Sequence, residues 1–157
     1  VAGRDDSSGS WREEIYYQGA WRNNYYSTRV GIMHRDSVTN IDMLFFTCGM
    51  PGIIRAVYNA ARASGGSFDP SPESGAFPTR PLSLTVCNGV LYTAGGSFIR
   101  RRHDGTQASW STVFDMAPYE PGTVDESVGG VRGLSTIPNP SGVGESLYFS
   151  WCPNANS

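Results

Sequence analysis

The sequence predicts an all-β fold built from about three four-stranded antiparallel units. Three observations support this prediction: the composition, a regular series of hairpin turn signals and an internal repeat. The chain has 157 residues, which is enough for one domain with its own core. Its 19 Gly, 10 Pro and 12% aromatic residues, with only 17% charged residues, favour short strands and many turns over a helix bundle.

Turn signals between Leu82 and Phe114 predict a four-stranded meander. Asn88-Gly89, Gly95-Gly96 and Asp104-Gly105 supply the positive φ angles that two-residue hairpin turns require. The apolar runs on either side of these turns give four predicted strands: Leu82–Cys87, Val90–Ala94, Phe98–Arg102 and Trp110–Phe114.

A leucine followed by an aromatic residue recurs at positions 44, 91 and 147, with spacings of 47 and 56 residues. A strand-like segment precedes each copy. In the first two copies a third strand follows, because Ile54-Arg55 matches Ile99-Arg100. Units of four strands that recur every 40 to 50 residues or so are typical of β-propeller blades. The predicted single β domain thus divides into a partial blade or N-terminal arm, two complete blades and an incomplete blade: residues 1–28, 29–81, 82–130 and 131–157.

Residues 51–63 fit two interpretations. Apolar residues at 53, 54, 57, 60 and 61 form a helical stripe, and Gly65 would cap such a helix. The match between the two Ile-Arg pairs favours a strand instead. Two segments rich in Gly and Pro, 64–81 and 117–130, are predicted to be long connections.

About three blades are fewer than the roughly four to eight of known closed propellers. We therefore expect exposed blade edges and a homo-oligomer, in which Val1–Tyr26 and Arg132–Trp151 of different chains complete each other's blades. The alternatives are a fragment of a longer protein and a small β-sandwich or barrel.

Three segments carry a resemblance to known proteins: Gly130–Leu147, Asn88–Tyr92 and Arg101–Trp110. Together they resemble uncharacterised bacterial β-propeller-like proteins with kelch-like or Asp-box-like blades. The resemblance covers about Arg29 to Trp151, implies the fold without an activity, and suggests a truncated relative of environmental or mobile-gene origin. His103–Trp110 also resembles the Asp-box of sialidases, which is a structural turn in those proteins.

Candidate functional residues are few. No nucleophile elbow, phosphate-binding loop or HExxH motif is present. On a strand, Arg100 and Arg102 lie on one face, where they would clamp a small anion or form ion pairs between blades. His34, Arg35 and Asp36 follow a predicted strand, and Trp110 offers a surface on which a sugar could stack. These six residues are the predicted ligand site. No metal or cofactor is expected.

The net charge and the cysteine content limit the classes of function that the sequence supports. The net charge of −2 gives no reason to expect a nucleic-acid or membrane partner. All twelve basic residues are Arg, and the odd number of Cys argues for reduced, buried thiols. We expect a non-enzymatic binding or interaction module that self-associates through blade edges. The alternatives are a carbohydrate-active hydrolase or lyase with an Arg and carboxylate site, and a truncated product without activity.

Overall fold

The computed structural model describes residues 2–5, 10–13, 30–47, 52–58, 68–73, 77, 79–106, 109–119 and 130–152, and these ranges contain strands and turns but no helix. The all-β prediction is confirmed. The strands, in chain order, are β1 (Ala2–Asp5), β2 (Ser10–Glu13), β3 (Gly31–Arg35), β4 (Asp42–Thr47), β5 (Ile53–Tyr58), β6 (Phe68–Pro72), β7 (Ser83–Cys87), β8 (Val90–Gly95), β9 (Phe98–His103), β10 (Ser109–Asp115), β11 (Gly130–Pro138) and β12 (Glu145–Cys152). No helix in these ranges is long and apolar enough to cross a membrane.

The strands form two four-stranded meanders and two hairpins. The first meander has the order β3-β4-β5-β6, and the second has the order β7-β8-β9-β10. The hairpins are β1-β2, near the start of the sequence, and β11-β12, near its end. All pairings are antiparallel, and no sheet closes on itself.

The four-stranded meander predicted for residues 82–114 is present as the second meander. Its third turn is longer than the predicted two residues, because His103 pairs with Ser109 and residues 104–108 connect β9 to β10. Its first turn has φ values of 49° at Asn88 and 74° at Gly89, as a type I′ turn requires. The second turn lies one residue later than predicted, at Gly96-Ser97, because Gly95 still pairs with Phe98 in the ladder.

Two further segments, 51–63 and 64–81, each contain a strand. Ile53–Tyr58 is β5, so the strand interpretation is confirmed there, and residues 59–63 lie outside the described ranges. The predicted long connection 64–81 contains β6, and that prediction was wrong for Phe68–Pro72. Pro70 and Pro72 suggested a loop, but β6 is the last strand of its sheet, and proline is tolerated on edge strands.

Two layers of the core lie one on each face of the second meander, and a third buried group, Phe46, Ile54 and Ala56, belongs to the first meander. The first layer joins the two meanders through Met43, Phe45 and Ile53 on one side and Leu84 and Leu91 on the other. All five side chains are buried, and complete burial of a large apolar side chain contributes about 1.5–3 kcal/mol. The middle position of the second meander explains why β8 is apolar on both faces.

The second layer joins the second meander to the hairpin β11-β12. Val131 and Leu134 on β11 pack against a buried group on the meander: Ala94, Ile99 and Met116. Polar contacts fix the same hairpin, because the N–H of Leu134 donates to the Ser83 Oγ at 3.0 Å. The hairpin is thus held both by apolar packing and by directional bonds.

The β7-β8 turn holds the start of β12 through three hydrogen bonds. The Asn88 N–H donates to the Glu145 carboxylate at 2.7 Å, and the Asn88 Nδ2 donates to the Glu145 carbonyl at 2.8 Å. In return, the Glu145 N–H donates to the Asn88 Oδ1 at 2.7 Å. This reciprocal pairing fixes where β12 leaves the meander.

Replacing Gly130 by Ala is expected to lower the free energy of unfolding by at least about 2 kcal/mol. Gly130 has φ of 110°, and a Cβ there would lie 2.4 Å from the Gly96 carbonyl oxygen. Urea denaturation measures the effect. The control is Gly142→Ala: its φ is 74° but no atom lies within 4 Å of its added Cβ, and we expect a loss of about 1 kcal/mol. Equal losses in the two variants would contradict the close approach of β11 to Gly96.

The cysteines only partly follow the expectation of buried thiols. Cys87 is free and buried, and its burial is the main reason that the pKa of its thiol is raised. Cys152 is free but exposed, so the prediction of burial was wrong there, because among the described strands β12 is the outer strand of its sheet and Tyr148–Cys152 are all exposed. Cys48 lies outside the described residues, as do residues 14–28 of the predicted partial blade or N-terminal arm.

Candidate functional site

The most concentrated group of charges is buried between the two meanders, and we call it the Arg102 cluster: Arg102, Asp36, Glu73, Asp104 and His34. Its members come from β9, from β3 and the turn after it, from the residue after β6 and from the β9-β10 turn. The Arg102 side chain is 0% exposed, because alternation along β9 turns it toward the first meander.

Arg102 is the centre of this cluster. Its Nη1 donates to Asp36 at 2.9 Å and also to Asp104, and its Nε donates to Glu73 at 3.1 Å. The guanidinium carbon lies 4.9 Å from the centroid of the Phe45 ring, which gives a cation–π contact. Burial alone lowers the pKa of Arg102, but the bond to Asp36 and the charges of Glu73 and Asp104 outweigh it and raise that pKa.

Asp36 shapes one turn and holds another. Its Oδ1 accepts the N–H groups of Val38 and Thr39 within the β3-β4 turn. Its Oδ2 accepts Arg102 and the N–H of Gly105 in the β9-β10 turn, at 3.0 Å. Burial alone raises the pKa of Asp36, but these backbone bonds and Arg102 together place it well below its usual range.

Asp104 connects the same two turns in the other direction: it lies in the β9-β10 turn and accepts hydrogen bonds from the β3-β4 turn. It accepts both the N–H and the hydroxyl of Ser37 at 2.9 Å, and it lies 3.0 Å from the His34 Nε2. Burial raises the pKa of Asp104, but the bonds from Ser37 and His34 outweigh it and lower that pKa. The two turns are therefore cross-linked by two carboxylates, each from a different sheet.

Glu73 extends the cluster to the edge of the first meander. Its N–H donates to the Ile53 carbonyl at 2.8 Å, which fixes the residue directly after β6. Its second carboxylate oxygen lies 3.6 Å from the Nε of Arg55, whose side chain is 31% exposed. The cluster thus contains three carboxylates beside one fully buried guanidinium, with a second guanidinium at its rim.

The chemistry that this arrangement allows is electrostatic attachment of one sheet to another. All five side chains of the Arg102 cluster are at most 10% exposed. A substrate in solution therefore has no open face of the cluster to approach. The Glu73 Oε2 and the Arg102 Nη2 have no hydrogen-bond partner among the described residues, but both atoms are buried. Breaking such a buried group by removing one partner is far more costly than losing a surface ion pair.

The structure separates the six predicted site residues into three places. Arg102, His34 and Asp36 meet in the buried cluster. Arg35 is exposed and bonds to Asn40 and Asp42 on its own hairpin. Arg100 and Trp110 lie elsewhere, and both contact the Phe77 ring.

Arg100 lines a small cleft at one end of the second meander. Its guanidinium carbon lies 5.3 Å from the Phe77 ring centroid and 5.7 Å from that of Phe98, and Pro81 lines the same cleft. Burial lowers the pKa of Arg100. The cleft has room for about one water molecule, which is too little space for a small-molecule ligand.

Sequence reasoning missed Glu73 and Asp104 as members of the cluster. Asp104 was assigned only to a hairpin turn, and Glu73 fell within the predicted long connection. No group of three or more His, Cys, Asp and Glu side chains suited to a metal ion occurs in the described ranges.

The third feature is an exposed apolar surface on the last hairpin, which we call the β12 surface: Ile137, Tyr148, Phe149 and Trp151. Tyr148 is 52% exposed and Trp151 is 41% exposed. Because side chains alternate along a strand, Tyr148 lies on one face of β12 while Phe149 and Trp151 lie on the other. Both faces of β12 therefore present aromatic rings to solvent.

The β12 surface continues onto the second meander. The Phe149 ring lies 5.1 Å from that of Phe114, and the Phe114 ring stacks on Tyr119 at 5.9 Å. Exposed apolar groups that adjoin one another in this way mark contact surfaces for other proteins more often than isolated ones do.

Comparisons of the chain with protein-family models, with curated proteins and with solved structures found no match.

Proposed function

We propose that this protein is a non-enzymatic interaction module that associates with other copies of itself through β12. The observation that carries the proposal is that β12 has the apolar sequence typical of an interior strand, whereas one of its edges has no partner among the described strands. Ser146–Cys152 contains no charged residue and no proline. In the described part of the chain, β12 pairs only with β11.

The ends of the two meanders provide the contrast. β6 carries Pro70 and Pro72, and the pairing of β10 is irregular between Thr112 and Phe114. Prolines and bulges are devices that protect sheet edges from unwanted pairing. β12 has no proline along Ser146–Cys152, and the irregularity in its pairing, between Val131 and Gly133, adds a residue to β11 and not to β12. This supports a role for the β12 edge in association.

The same proposal interprets the sheets as propeller-like blades. The repeated Leu-aromatic pair lies on the second strand of each sheet in which it occurs: β4, β8 and β12. The first two of these strands are interior, and their sheets stack face to face, as blades do. On this interpretation β11 and β12 are the first half of a blade.

Replacing Tyr148 and Trp151 together by Ser is expected to abolish self-association. The wild-type chain should show a molar mass above 17.0 kDa that rises with concentration, whereas the double variant should stay at 17.0 kDa. Both side chains are exposed in the single chain, so their replacement should leave its fold intact. Light scattering on a size-exclusion column measures the mass, and thermal unfolding checks the fold.

The matched control is the double variant Val38→Ser and Ile41→Ser. These two apolar residues are also exposed but belong to the β3-β4 turn and its flank. The control should associate like the wild type. A wild-type chain that remains at 17.0 kDa at its highest soluble concentration would refute the proposed function.

A further inference from the structure

We infer that the free edge of β12 pairs antiparallel with β1 of a second copy, so that β11-β12 of one chain and β1-β2 of the next form one four-stranded sheet. This inference rests on the proposed function and names the partner of the β12 edge. It starts from strand counts: each meander has four strands, and each hairpin has two.

The internal repeat assigns β11 and β12 to the first and second positions of a sheet. Leu44, Leu91 and Leu147 are equivalent, and they lie on β4, β8 and β12. In each meander the strand that carries this leucine pairs with a third strand on its other side, β5 or β9. The corresponding edge of β12 has no partner in the described ranges.

The hairpin β1-β2 carries the pattern of third and fourth strands. Arg4-Asp5-Asp6 has the spacing of Arg102-His103-Asp104, and Ser10-Trp11 matches Ser109-Trp110. The strand pairing of β1-β2 also agrees with that of β9-β10. Arg4 lies opposite Trp11 in β1-β2, and Arg102 lies opposite Trp110 in β9-β10.

A second pair of opposed residues shows that β1-β2 and β9-β10 share the same register. Asp5 lies opposite Ser10, and His103 lies opposite Ser109. A shift by one residue in either hairpin would break both equivalences, because residues in a strand alternate between faces. β1 is therefore equivalent to β9, and β2 is equivalent to β10.

The equivalence fixes how β12 and β1 meet. On the second meander, Tyr92 of β8 lies opposite Arg101 of β9. Tyr148 is the equivalent of Tyr92, and Gly3 is the equivalent of Arg101. The inferred pairing thus places Tyr148 of one chain opposite Gly3 of another. Antiparallel neighbours of this kind have Cα atoms about 4.5–5.5 Å apart, which suits a disulfide.

Such an interface is head-to-tail, because the two chains contribute different strands. Head-to-tail contacts produce closed rings or open filaments. The described ranges of each chain contribute two four-stranded sheets and two hairpins. A closed ring of two chains would hold about six four-stranded sheets, within the range of roughly four to eight found in closed propellers.

The test uses cysteine substitutions in the full chain, in a background with Cys48→Ser and Cys152→Ser. One chain carries Gly3→Cys and a second chain carries Tyr148→Cys. Mixed and oxidised, they should form a disulfide-linked heterodimer that is absent when Arg4→Cys replaces Gly3→Cys. That control shifts the register by one residue and turns the thiol to the other face.

Each remaining outcome decides the matter. A disulfide between two Tyr148→Cys chains would show symmetric β12 pairing and overturn the inference. A chain carrying both substitutions that closes on itself, with its mass unchanged, would show that the partner strand is its own β1. Absence of the heterodimer in a wild type that associates would overturn the β1 pairing but leave the proposed function standing. A monomeric wild type would refute both.

Discussion

Replacing Arg102 by Met is expected to lower the free energy of unfolding by about 3–5 kcal/mol. Methionine keeps much of the apolar stem and the contact with Phe45, but it removes the guanidinium from Asp36, Glu73 and Asp104. Three carboxylates then remain close together in a buried site. Their mutual repulsion and lost hydrogen bonds destabilise the folded chain.

Arg101→Met provides the matched control for this substitution. Arg101 is the preceding residue on β9, and its side chain is exposed on the opposite face. Its replacement should change the free energy of unfolding by less than about 0.5 kcal/mol. Urea denaturation of both variants measures the difference. Similar losses in the two variants would show that the Arg102 cluster does not hold the meanders together.

Acidification is expected to destabilise the folded chain below about pH 4, where unfolded carboxylates begin to take up protons. Asp36 and Asp104 both have a pKa below the ordinary value in the folded chain. A carboxyl group whose pKa is lowered by folding stabilises the folded chain at pH values above the pKa that the group has in the unfolded chain. That stability is lost as the pH falls toward the depressed folded pKa, because the unfolded chain binds protons first.

Asp36→Asn separates the contribution of the cluster from general acid unfolding. The variant should be less stable than the wild type at pH 7, because the amide loses the charge that faces Arg102. Its stability should also fall less steeply below about pH 4, because one depressed carboxyl is gone. Asp42→Asn, at an exposed ion pair with Arg35, should follow the wild-type curve. Parallel curves for Asp36→Asn and the wild type would contradict the role of Asp36.

The strand order could be predicted where local chemistry determines it. Asn88-Gly89 fixes a tight turn by its backbone preferences alone, and the Leu-aromatic repeat identified β4, β8 and β12 as equivalent strands. β6 could not be predicted in the same way, because Pro70 signals a loop unless the strand is known to be at an edge. Edge position is a property of the assembled sheet.

The Arg102 cluster was only partly predictable for a related reason. Alternation along β9 placed Arg100 and Arg102 on one face, but their surroundings differ once the sheets pack. His34 and Asp104 are 70 residues apart in the chain, and no local pattern signals their contact. The exposed aromatic rings of β12 were likewise visible as apolar residues, but their exposure depends on where the second meander stops covering the hairpin.

The cross-linked turns have a consequence for the order of folding. Each meander joins only neighbouring strands, so its contacts are local and close quickly. Asp36 and Asp104, in contrast, exchange their bonds between the two sheets over separations of 66 to 70 residues. In one meander alone, Arg102 keeps Asp104 but lacks Asp36 and Glu73. The charge balance is therefore complete only after both sheets have docked, which makes them a single cooperative unit instead of two that unfold separately.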